Sequence, residues 1–213
     1  MIALVDYGAG NLTSVRKALA AVNCEVTVPR TVDQLPAASG IIVPGVGHFD
    51  RTRALDVTWR RGIRAAVERG VALLGICLGM QWLFEGSEEA PDLPGLGFFR
   101  GSCVKLDPNS RTDRTGPKVK VPHVGWNSLD RTHATQLMVG VEPGAQVYFT
   151  HSFAAPVVPE TAATTTSGVT FTSAVQRGRI AGVQFHPEKS GDVGLQILCN
   201  WLALFEDGVH RAP

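Results

Sequence analysis

Cys77 is the residue whose surroundings most clearly suggest chemistry. It stands in GICLGMQ, flanked by Gly75 and Gly79, where an apolar run over 71–76 ends and helical spacing begins. A strand that passes directly into a helix needs a tight turn, and glycines on both sides allow neighbouring backbone to approach. We therefore predict a strained strand-to-helix turn that presents the thiol as a nucleophile.

The start of the following helix is a suitable place for a reactive thiol. A helix N-terminus carries the positive end of the dipole and unpaired N–H groups, which favour a thiolate. The Leu78 amide is the natural first donor to an oxyanion formed when Cys77 attacks a carbonyl. An apolar-flanked cysteine is more often a packing residue, and we assign Cys24, Cys103 and Cys199 to packing. The paired glycines favour the nucleophile at Cys77.

A base and a carboxylate to orient it occur in QFHPEKS near the C-terminal end. His186 and Glu188 are i and i+2, which project to the same side of an extended segment, and Pro187 restricts the backbone between them. The carboxylate would fix the imidazole tautomer while the other ring nitrogen faces the thiol. HxE alone is more often a surface turn, but together with Cys77 it predicts a triad. His151, at a strand end in THSF, is the best further histidine candidate.

The elements that must position these residues alternate between strands and helices. Strand patterns are found at 2–5, 25–28, 40–43, 71–76, 146–153, 171–176 and 180–185. Helix patterns run through Val15 and Val22, over 50–69 as one crossover helix, and over 193–205. The alternation predicts an α/β fold with a doubly wound, mostly parallel sheet, flanking helices and antiparallel edge strands.

Glycine-rich and polar segments connect these elements. In a doubly wound sheet the loops at the carboxyl ends of strands converge, so we expect PGVG at 44–47 to lie near Cys77, although an ordinary turn remains the alternative. YGAGN lacks the third glycine of a dinucleotide loop, and its Asn11, or Thr13, is expected to cap the first helix. KVKVPHVGWNS at 118–128 is expected to be an exposed loop, and 161–167 a polar hairpin tip.

Composition excludes several classes of protein. The 213 residues, 44% of them hydrophobic, suffice for one core. With 20 basic and 19 acidic residues the net charge is close to zero, so no overall positive electrostatic potential attracts nucleic acid or anionic membranes. No apolar stretch approaches the roughly 20 residues that span a bilayer, and MIALVDYGAG lacks a basic signal-peptide region, so we expect a cytoplasmic protein. The cysteine and histidine spacings predict neither a metal site nor a disulfide framework.

GICLGMQ, PGVG and QFHPE together resemble the class I, triad-type glutamine amidotransferases, and the match runs from end to end. Within that family DYGAGN, PHVGWN at 122–127, THSF at 150–153 and HPEKS are similar to the glutaminase subunits of imidazole glycerol phosphate synthases, of histidine biosynthesis. A glutaminase serving another synthase, such as one making pyridoxal phosphate or a guanylate precursor, is the first alternative. PHVGWN and the KS that follows HPE argue against it. A catalytically silent binding subunit is the second, and the intact triad argues against that.

The resemblance implies a flavodoxin-like fold, one domain over 1–213, no cofactor, and hydrolysis of L-glutamine through a thioester on Cys77 with His186 as acid and base. It also implies a heterodimer with a (βα)8-barrel cyclase that uses the ammonia. Implied site residues are Leu78 with Val46 or Gly47 for the oxyanion hole, Gln81, Glu89, His151, Ser152 and Phe153 for glutamine, and Asn11, His123, Trp126 and Lys189 for the partner. Residues 107–118 and 156–168 carry no motif, and we infer no role for them.

Overall fold

The computed structural model describes residues 1–109, 120–131 and 133–206, so the beginning of the predicted 118–128 loop lies outside the described residues. The elements of the first part are β1 Ile2–Leu4, α1 Leu12–Ala21, β2 Val26–Thr27, β3 Gly40–Gly45, α2 Val57–Glu68, β4 Ala72–Cys77, α3 Leu78–Leu83 and β5 Gly86–Ser87. The elements that follow are β6 Ser102–Lys105, β7 His123–Ser128, β8 Asp130–Arg131, β9 Gln146–His151, β10 Phe153–Ala154, β11 Thr161–Ser167, β12 Val169–Arg177, β13 Ile180–Val183 and α4 Gly191–Glu206. Short 3-10 helices cover Val32–Ala37, Phe49–Ala54, Gln136–Met138 and Pro187–Lys189.

Eight strands form the central sheet in the order β2-β1-β3-β4-β13-β12-β11-β8. The strands from β2 to β13 pair in parallel, whereas β12, β11 and β8 are joined to them and to each other in antiparallel fashion. This arrangement confirms the predicted mostly parallel sheet with antiparallel strands at one edge. Because β4 lies between two parallel neighbours, Cys77 at its end stands in the middle of the carboxyl edge, where the loops of β3 and β13 also emerge.

Helices cover both faces of the sheet. On one face Leu19 of α1 and Trp201 of α4 are fully buried in a cluster with Ile42, and on the other face Ile63 of α2 is buried with Ile41. Neighbouring residues of β3 therefore face opposite sides, and each side is apolar, which explains why the parallel strands read as unbroken apolar runs. Among the described residues, no helix combines the length and apolar character that crossing a membrane requires.

The crossover predicted as one helix over 50–69 is in fact two elements. A 3-10 helix occupies Phe49–Ala54, and α2 begins only after Asp56. The Asp56 carboxylate accepts hydrogen bonds from the backbone N–H groups of Thr58 and Trp59, at 2.8 and 3.0 Å. A side chain that satisfies these N–H groups is an N-cap, so the helix starts afresh at this point instead of continuing.

The prediction of a polar hairpin tip at 161–167 is wrong. This segment is β11, which lies between β12 and β8 in the central sheet. Its threonines are β-branched and suit a strand, and their hydroxyls find partners inside: Thr165 donates to the Ser128 carbonyl at 2.8 Å, and the hydroxyls of Thr161 and Thr172 lie 2.7 Å apart. The polar side chains of this segment therefore form buried hydrogen bonds instead of facing solvent.

The segment after Pro122 is a strand, so the prediction of an exposed loop there is also wrong. The strand β7 pairs antiparallel with β9 in a separate two-stranded sheet, and His123 stands opposite His151. Alternation along β7 turns His123 inward, where it is 9% exposed, and Trp126 outward, where it is 57% exposed. The strand predicted over 146–153 ends at His151, and Phe153–Ala154 pairs instead with β6.

Gly79 should tolerate no side chain, which gives a first prediction. A Cβ at Gly79 would lie 1.8 Å from the Val43 carbonyl oxygen, a backbone atom of β3 that cannot move aside alone. We expect Gly79→Ala to lower the free energy of unfolding by about 3 kcal/mol or more, since this overlap exceeds the gain of about 1 kcal/mol that alanine brings to a helix.

The matched control is Gly86→Ala. There the nearest atoms to a new Cβ would be the Leu93 carbonyl oxygen and the Ser102 hydroxyl, at 3.4 and 3.6 Å, which is ordinary contact. Urea denaturation of both variants compares them directly, with a change of about 0.5 kcal/mol or less expected for the control. Equal stability of the two variants would contradict the close approach of α3 to β3.

Candidate active site

Cys77 occupies the strained turn that the sequence predicts. It is the last residue of β4 and the cap of α3, with φ +53° and ψ −107°. A residue with a side chain rarely adopts positive φ, and such strain persists only where the surroundings enforce it. Gly75 and Gly79 supply the room, because a Cβ at Gly75 would lie 2.6 Å from the Gly79 carbonyl carbon. The turn holds the thiol at the start of a helix.

The structure brings His186 and Glu188 together as a buried pair. The His186 Nδ1–H donates to Glu188 Oε1 at 2.8 Å, and both side chains are 2% exposed. The segment between them is not extended as predicted: Pro187–Lys189 forms a 3-10 turn, for which proline at the first position is well suited. The pairing expected from the spacing is nevertheless present.

The charge on His186 is set by competing influences. Burial alone would lower the pKa of the imidazole, but hydrogen bonding to Cys77 and Glu188, together with their negative charges, raises it to about 10. His186 Nε2 has no partner of good hydrogen-bond geometry among the described residues. A ring that is protonated at neutral pH, with Nε2 uncommitted, can donate a proton to a leaving group beside the thiol.

Two further groups contact the sulfur of Cys77 and were not predicted. The thiol donates to the Thr150 carbonyl oxygen at 3.8 Å, and the Gln184 side-chain Nε2 donates to Sγ at 3.6 Å. Gln184 belongs to QFHPE and is wholly buried. The sequence signal for Gln184 was its position as a polar residue at the end of an apolar strand, because a buried amide needs hydrogen-bond partners.

A cavity of about 330 Å³ opens in front of Cys77. Its size is at the lower end of the range for small-molecule sites, which begins at roughly 300 Å³. Every residue that the resemblance implies for the oxyanion hole and for glutamine lines it, and the full lining is Val46, Gly47, His48, Cys77, Leu78, Gln81, Glu89, Pro122, Thr150, His151, Ser152 and Phe153. His48, Pro122 and Thr150 were not expected there.

The two amides expected to form an oxyanion hole are in different situations. Leu78 is the first residue of α3, where a backbone N–H has no acceptor within the helix. The Val46 N–H instead donates to the Ala9 carbonyl oxygen at 2.5 Å. Gly47, with φ +98°, follows it. The Val46 amide is therefore committed to the Ala9 carbonyl oxygen, in the loop after β1, and must leave this partner before it can bind an oxyanion.

Several of the cavity residues are held by protein partners. Gln81 Nε2 donates to the Phe153 carbonyl oxygen at 2.8 Å, and Glu89 Oε2 accepts from the Phe49 N–H at 2.7 Å. His151 Nδ1 also lies 2.9 Å from the Phe153 carbonyl oxygen, and burial lowers the pKa of this imidazole to about 3. Hydrogen bonds thus fix the 151–153 segment, and its histidine is neutral.

The four residues expected to face a partner differ in their exposure. Asn11, Trp126 and Lys189 are exposed, and Lys189 Nζ lies 5.5 Å from the centre of the Tyr148 ring. Asn11 also caps α1, because its side chain accepts from the Ser14 N–H. His123 is different: it is buried and stacks on Phe149 with ring centres 4.8 Å apart. The structure therefore does not place His123 on the surface with the others.

Comparisons with known proteins give a consistent result. The family model for class-I glutamine amidotransferases matches residues 3–203. The HisH subunit of imidazole glycerol phosphate synthase from Deinococcus radiodurans is 45% identical over 204 residues, covering 94% of this chain and 92% of the relative. The same subunit from Geobacillus kaustophilus is 44% identical over 210 residues, covering 96% and 97%.

Solved structures share the fold at low sequence identity. A crystal structure of a glutamine amidotransferase superposes with a TM-score of 0.73 at 20% identity, covering 97% of this chain and all of that one. The structure of PurLQS from Thermotoga maritima superposes with a TM-score of 0.71 at 18% identity, covering 95% and 97%. At these identities the likeness establishes the fold alone.

Proposed function

The chain belongs to the class-I glutamine amidotransferase family, and from that premise we propose that it is the glutaminase subunit of an imidazole glycerol phosphate synthase. In this role it hydrolyses L-glutamine to glutamate and ammonia, and a synthase subunit uses the ammonia to make imidazole glycerol phosphate and AICAR in histidine biosynthesis. The relatives of 44–45% identity over nearly their whole length support the assignment. The observation that carries the chemistry is Cys77 at a strained turn, in interaction with the His186 imidazole of the buried His186–Glu188 pair.

The reaction follows from the atoms around the sulfur. The Cys77 thiolate attacks the side-chain amide carbon of glutamine, and His186 Nε2–H delivers the proton with which ammonia leaves. Water then attacks the thioester while His186 takes up its proton, so glutamate is released and the thiolate returns. Glu188 keeps the imidazole oriented through Nδ1 and stabilises its positive charge.

Oxyanion stabilisation in this proposal requires a change in the loop after β3. The Leu78 amide is one donor, and the second comes from Val46 or Gly47. With Val46 as that second donor, the hole is incomplete at rest, because the Val46 N–H is bonded to the Ala9 carbonyl oxygen. Loss of a single oxyanion donor costs roughly 10²–10³ in rate, so the resting chain is expected to be slow.

The remaining cavity residues are proposed to bind the amino-acid end of glutamine. Gln81, Glu89, His151, Ser152 and Phe153 are supported in this role by their position in the cavity lining. The Glu89 carboxylate suits an ammonium group. The hydroxyl of the half-buried Ser152 suits the carboxylate as a donor, and neutral His151 does not repel the ammonium group.

Ammonia needs an acceptor, because ammonia released into water is protonated and loses its nucleophilicity. We place a partner subunit, specifically a (βα)8-barrel cyclase, over the face that carries Trp126. Val124 and Trp126 are 56% and 57% exposed on the outer side of β7, and Tyr148 and Lys189 lie beside them, with Asn11 as a further candidate. An exposed tryptophan packed against a tyrosine is typical of an interface anchor, because both residue types are enriched in binding hot spots. A single domain and a cytoplasmic location also belong to this proposal and remain predictions.

Glutamate production by the purified chain, with and without the cyclase and its phosphoribosyl ligand, tests the proposal. We expect a rise of about 100-fold or more when both are added, because docking supplies the missing oxyanion donor. Trp126→Ala should weaken cyclase binding by about tenfold or more, whereas Val157→Ala, a matched exposed residue elsewhere, should not.

The possible outcomes separate the alternatives. Full activity of the chain alone, unchanged by the cyclase, would contradict the coupled subunit while leaving the cysteine chemistry intact. Activation by the synthase of another pathway, and not by the cyclase, would identify a different glutaminase. Absence of hydrolysis under all conditions would favour a catalytically silent subunit.

A further inference from the structure

Gln184 lies wholly buried between the nucleophile and Gln81. It follows β13, and its backbone N–H donates to the Ser173 carbonyl oxygen at 2.9 Å. Its side-chain oxygen accepts from Gln81 Nε2 at 3.1 Å, and its side-chain nitrogen lies 3.6 Å from Cys77 Sγ. A buried amide is costly unless both of its ends are satisfied, so these contacts define its position.

The orientation of the Gln184 amide follows from its neighbours. Gln81 Nε2 contacts the Phe153 carbonyl oxygen at 2.8 Å, and because a carbonyl only accepts, the nitrogen of Gln81 must lie on that side. Its second hydrogen then points to Gln184 Oε1. The oxygen of Gln184 is thereby used, and its nitrogen must face the sulfur.

The same chain of donors continues through two neutral histidines. His151 Nδ1–H donates to the Phe153 carbonyl oxygen, so His151 Nε2 is the acceptor for His123 Nδ1–H at 3.0 Å. His123 Nε2 in turn accepts from Asn127 Nδ2 at 3.2 Å. Burial lowers the pKa of both imidazoles, which keeps this pattern of donors fixed at neutral pH. The Phe153 carbonyl oxygen thus accepts from both His151 and Gln81, and Gln81 is the member of this network that contacts Gln184.

Sγ of Cys77 contacts one hydrogen-bond acceptor and one hydrogen-bond donor. The Thr150 carbonyl oxygen accepts a hydrogen bond from a thiol and repels a thiolate, whereas the Gln184 N–H binds a thiolate more strongly than a thiol. The titratable groups that influence the sulfur are His186, backed by Glu188, and Tyr7, whose hydroxyl is buried and whose pKa is raised by burial and by Cys77. Of these, protonated His186 also favours the anion.

We propose that Gln184 is a catalytic residue, whose side-chain N–H stabilises the Cys77 thiolate and holds its sulfur in the direction of attack. This deepens the proposed function, because it assumes that Cys77 is the nucleophile. A hydrogen bond to a charged group contributes about 1.5–3 kcal/mol, which corresponds to a tenfold or larger change in the thiolate fraction. Gln81 acts behind it as a positioning residue by presenting the donor to the Gln184 oxygen.

The test is the pH profile of Cys77 alkylation by iodoacetamide in the isolated chain, followed on the Cys77 peptide by mass spectrometry. Gln184→Met keeps the size of the side chain but has no donor, and we expect the midpoint of the profile to move up by about one pH unit or more. Gln184→Glu should move it further, because a carboxylate opposes the thiolate. The control Gln176→Met removes a glutamine of β12 whose Nε2 bonds the Gly178 carbonyl oxygen, and its profile should match the unsubstituted chain.

Wild-type protein provides a second readout that requires no variant at Gln184. The side-chain amide proton resonances of Gln184 should shift as Cys77 ionises, and this shift should vanish in Cys77→Ser. The proposal would be overturned if folded Gln184 variants kept the midpoint of the alkylation profile, or if the Gln184 amide resonance did not shift when Cys77 ionises. Neither measurement uses glutamine or the cyclase, so failure here would leave the glutaminase assignment intact.

Discussion

Replacing Cys77 by serine should lower the kcat of glutamine hydrolysis by about 10⁴-fold or more, measured as glutamate release with the cyclase and its ligand present. Removal of a nucleophile that acts together with a base costs about as much as removal of the whole catalytic set, because the covalent route is lost. A serine hydroxyl at this turn is a poor substitute, because it ionises far less readily than a thiol and is the weaker nucleophile.

The matched control is Cys199→Ser. The assignment of Cys199 to packing is wrong, because this residue of α4 is exposed, and it does not line the cavity. This variant should keep full activity and stability. Retention of more than a few per cent of the activity in Cys77→Ser, or an equal loss in Cys199→Ser, would show that the nucleophile has been misassigned.

His186→Ala should cost about 10³–10⁴-fold in kcat, the range expected when a general acid and base is removed. Glu188→Gln should cost less than His186→Ala, by about tenfold or more, because the imidazole remains and only its tautomer, orientation and charge stabilisation are weakened. Steady-state kinetics with saturating cyclase gives the comparison. Equal and negligible losses in both variants would contradict the triad.

The pKa of His186 provides an independent readout of the same pair. It lies at about 10 in the folded chain, against 6.5 for an unperturbed imidazole, so the folded state holds the proton more tightly. The resulting stabilisation is fully present below pH 6.5 and is lost as the pH rises through about 10. Glu188→Gln removes one of the charges that raise this pKa, so the His186 titration followed by NMR should move to lower pH.

Local sequence was sufficient to predict the turn at Cys77 and the pairing of His186 with Glu188. The glycines beside Cys77 and the spacing of His186 and Glu188 act through neighbours in the chain, and the structure contains both the strained turn and the ion pair. The alternation of strands and helices likewise determined the parallel sheet, because each element must bury an apolar face.

Features that depend on distant partners were not predictable from local pattern. His123 was expected at the surface, but pairing with β9 turns it against Phe149 and His151. The direction of the Val46 amide depends on the Ala9 carbonyl oxygen, which belongs to the loop after a different strand. Such contacts arise only when the sheet assembles, and sequence spacing does not encode them.

The threonine-rich strand β11 shows the same limit in another form. Polar composition suggested a solvated turn at 161–167, yet the hydroxyl of Thr165 is buried and satisfied by the Ser128 carbonyl oxygen. Whether a polar side chain faces water or a buried acceptor depends on which strand lies alongside.

Covalent trapping can show whether Cys77 attacks glutamine in the cavity in front of it. The measurement is peptide mapping by mass spectrometry after the chain has reacted with a glutamine-shaped diazoketone, with and without competing L-glutamine. We expect one adduct, on the peptide that carries Cys77, whose formation slows as glutamine is added. An adduct on Cys24, Cys103 or Cys199 instead, or labelling of Cys77 that glutamine does not slow, would contradict it.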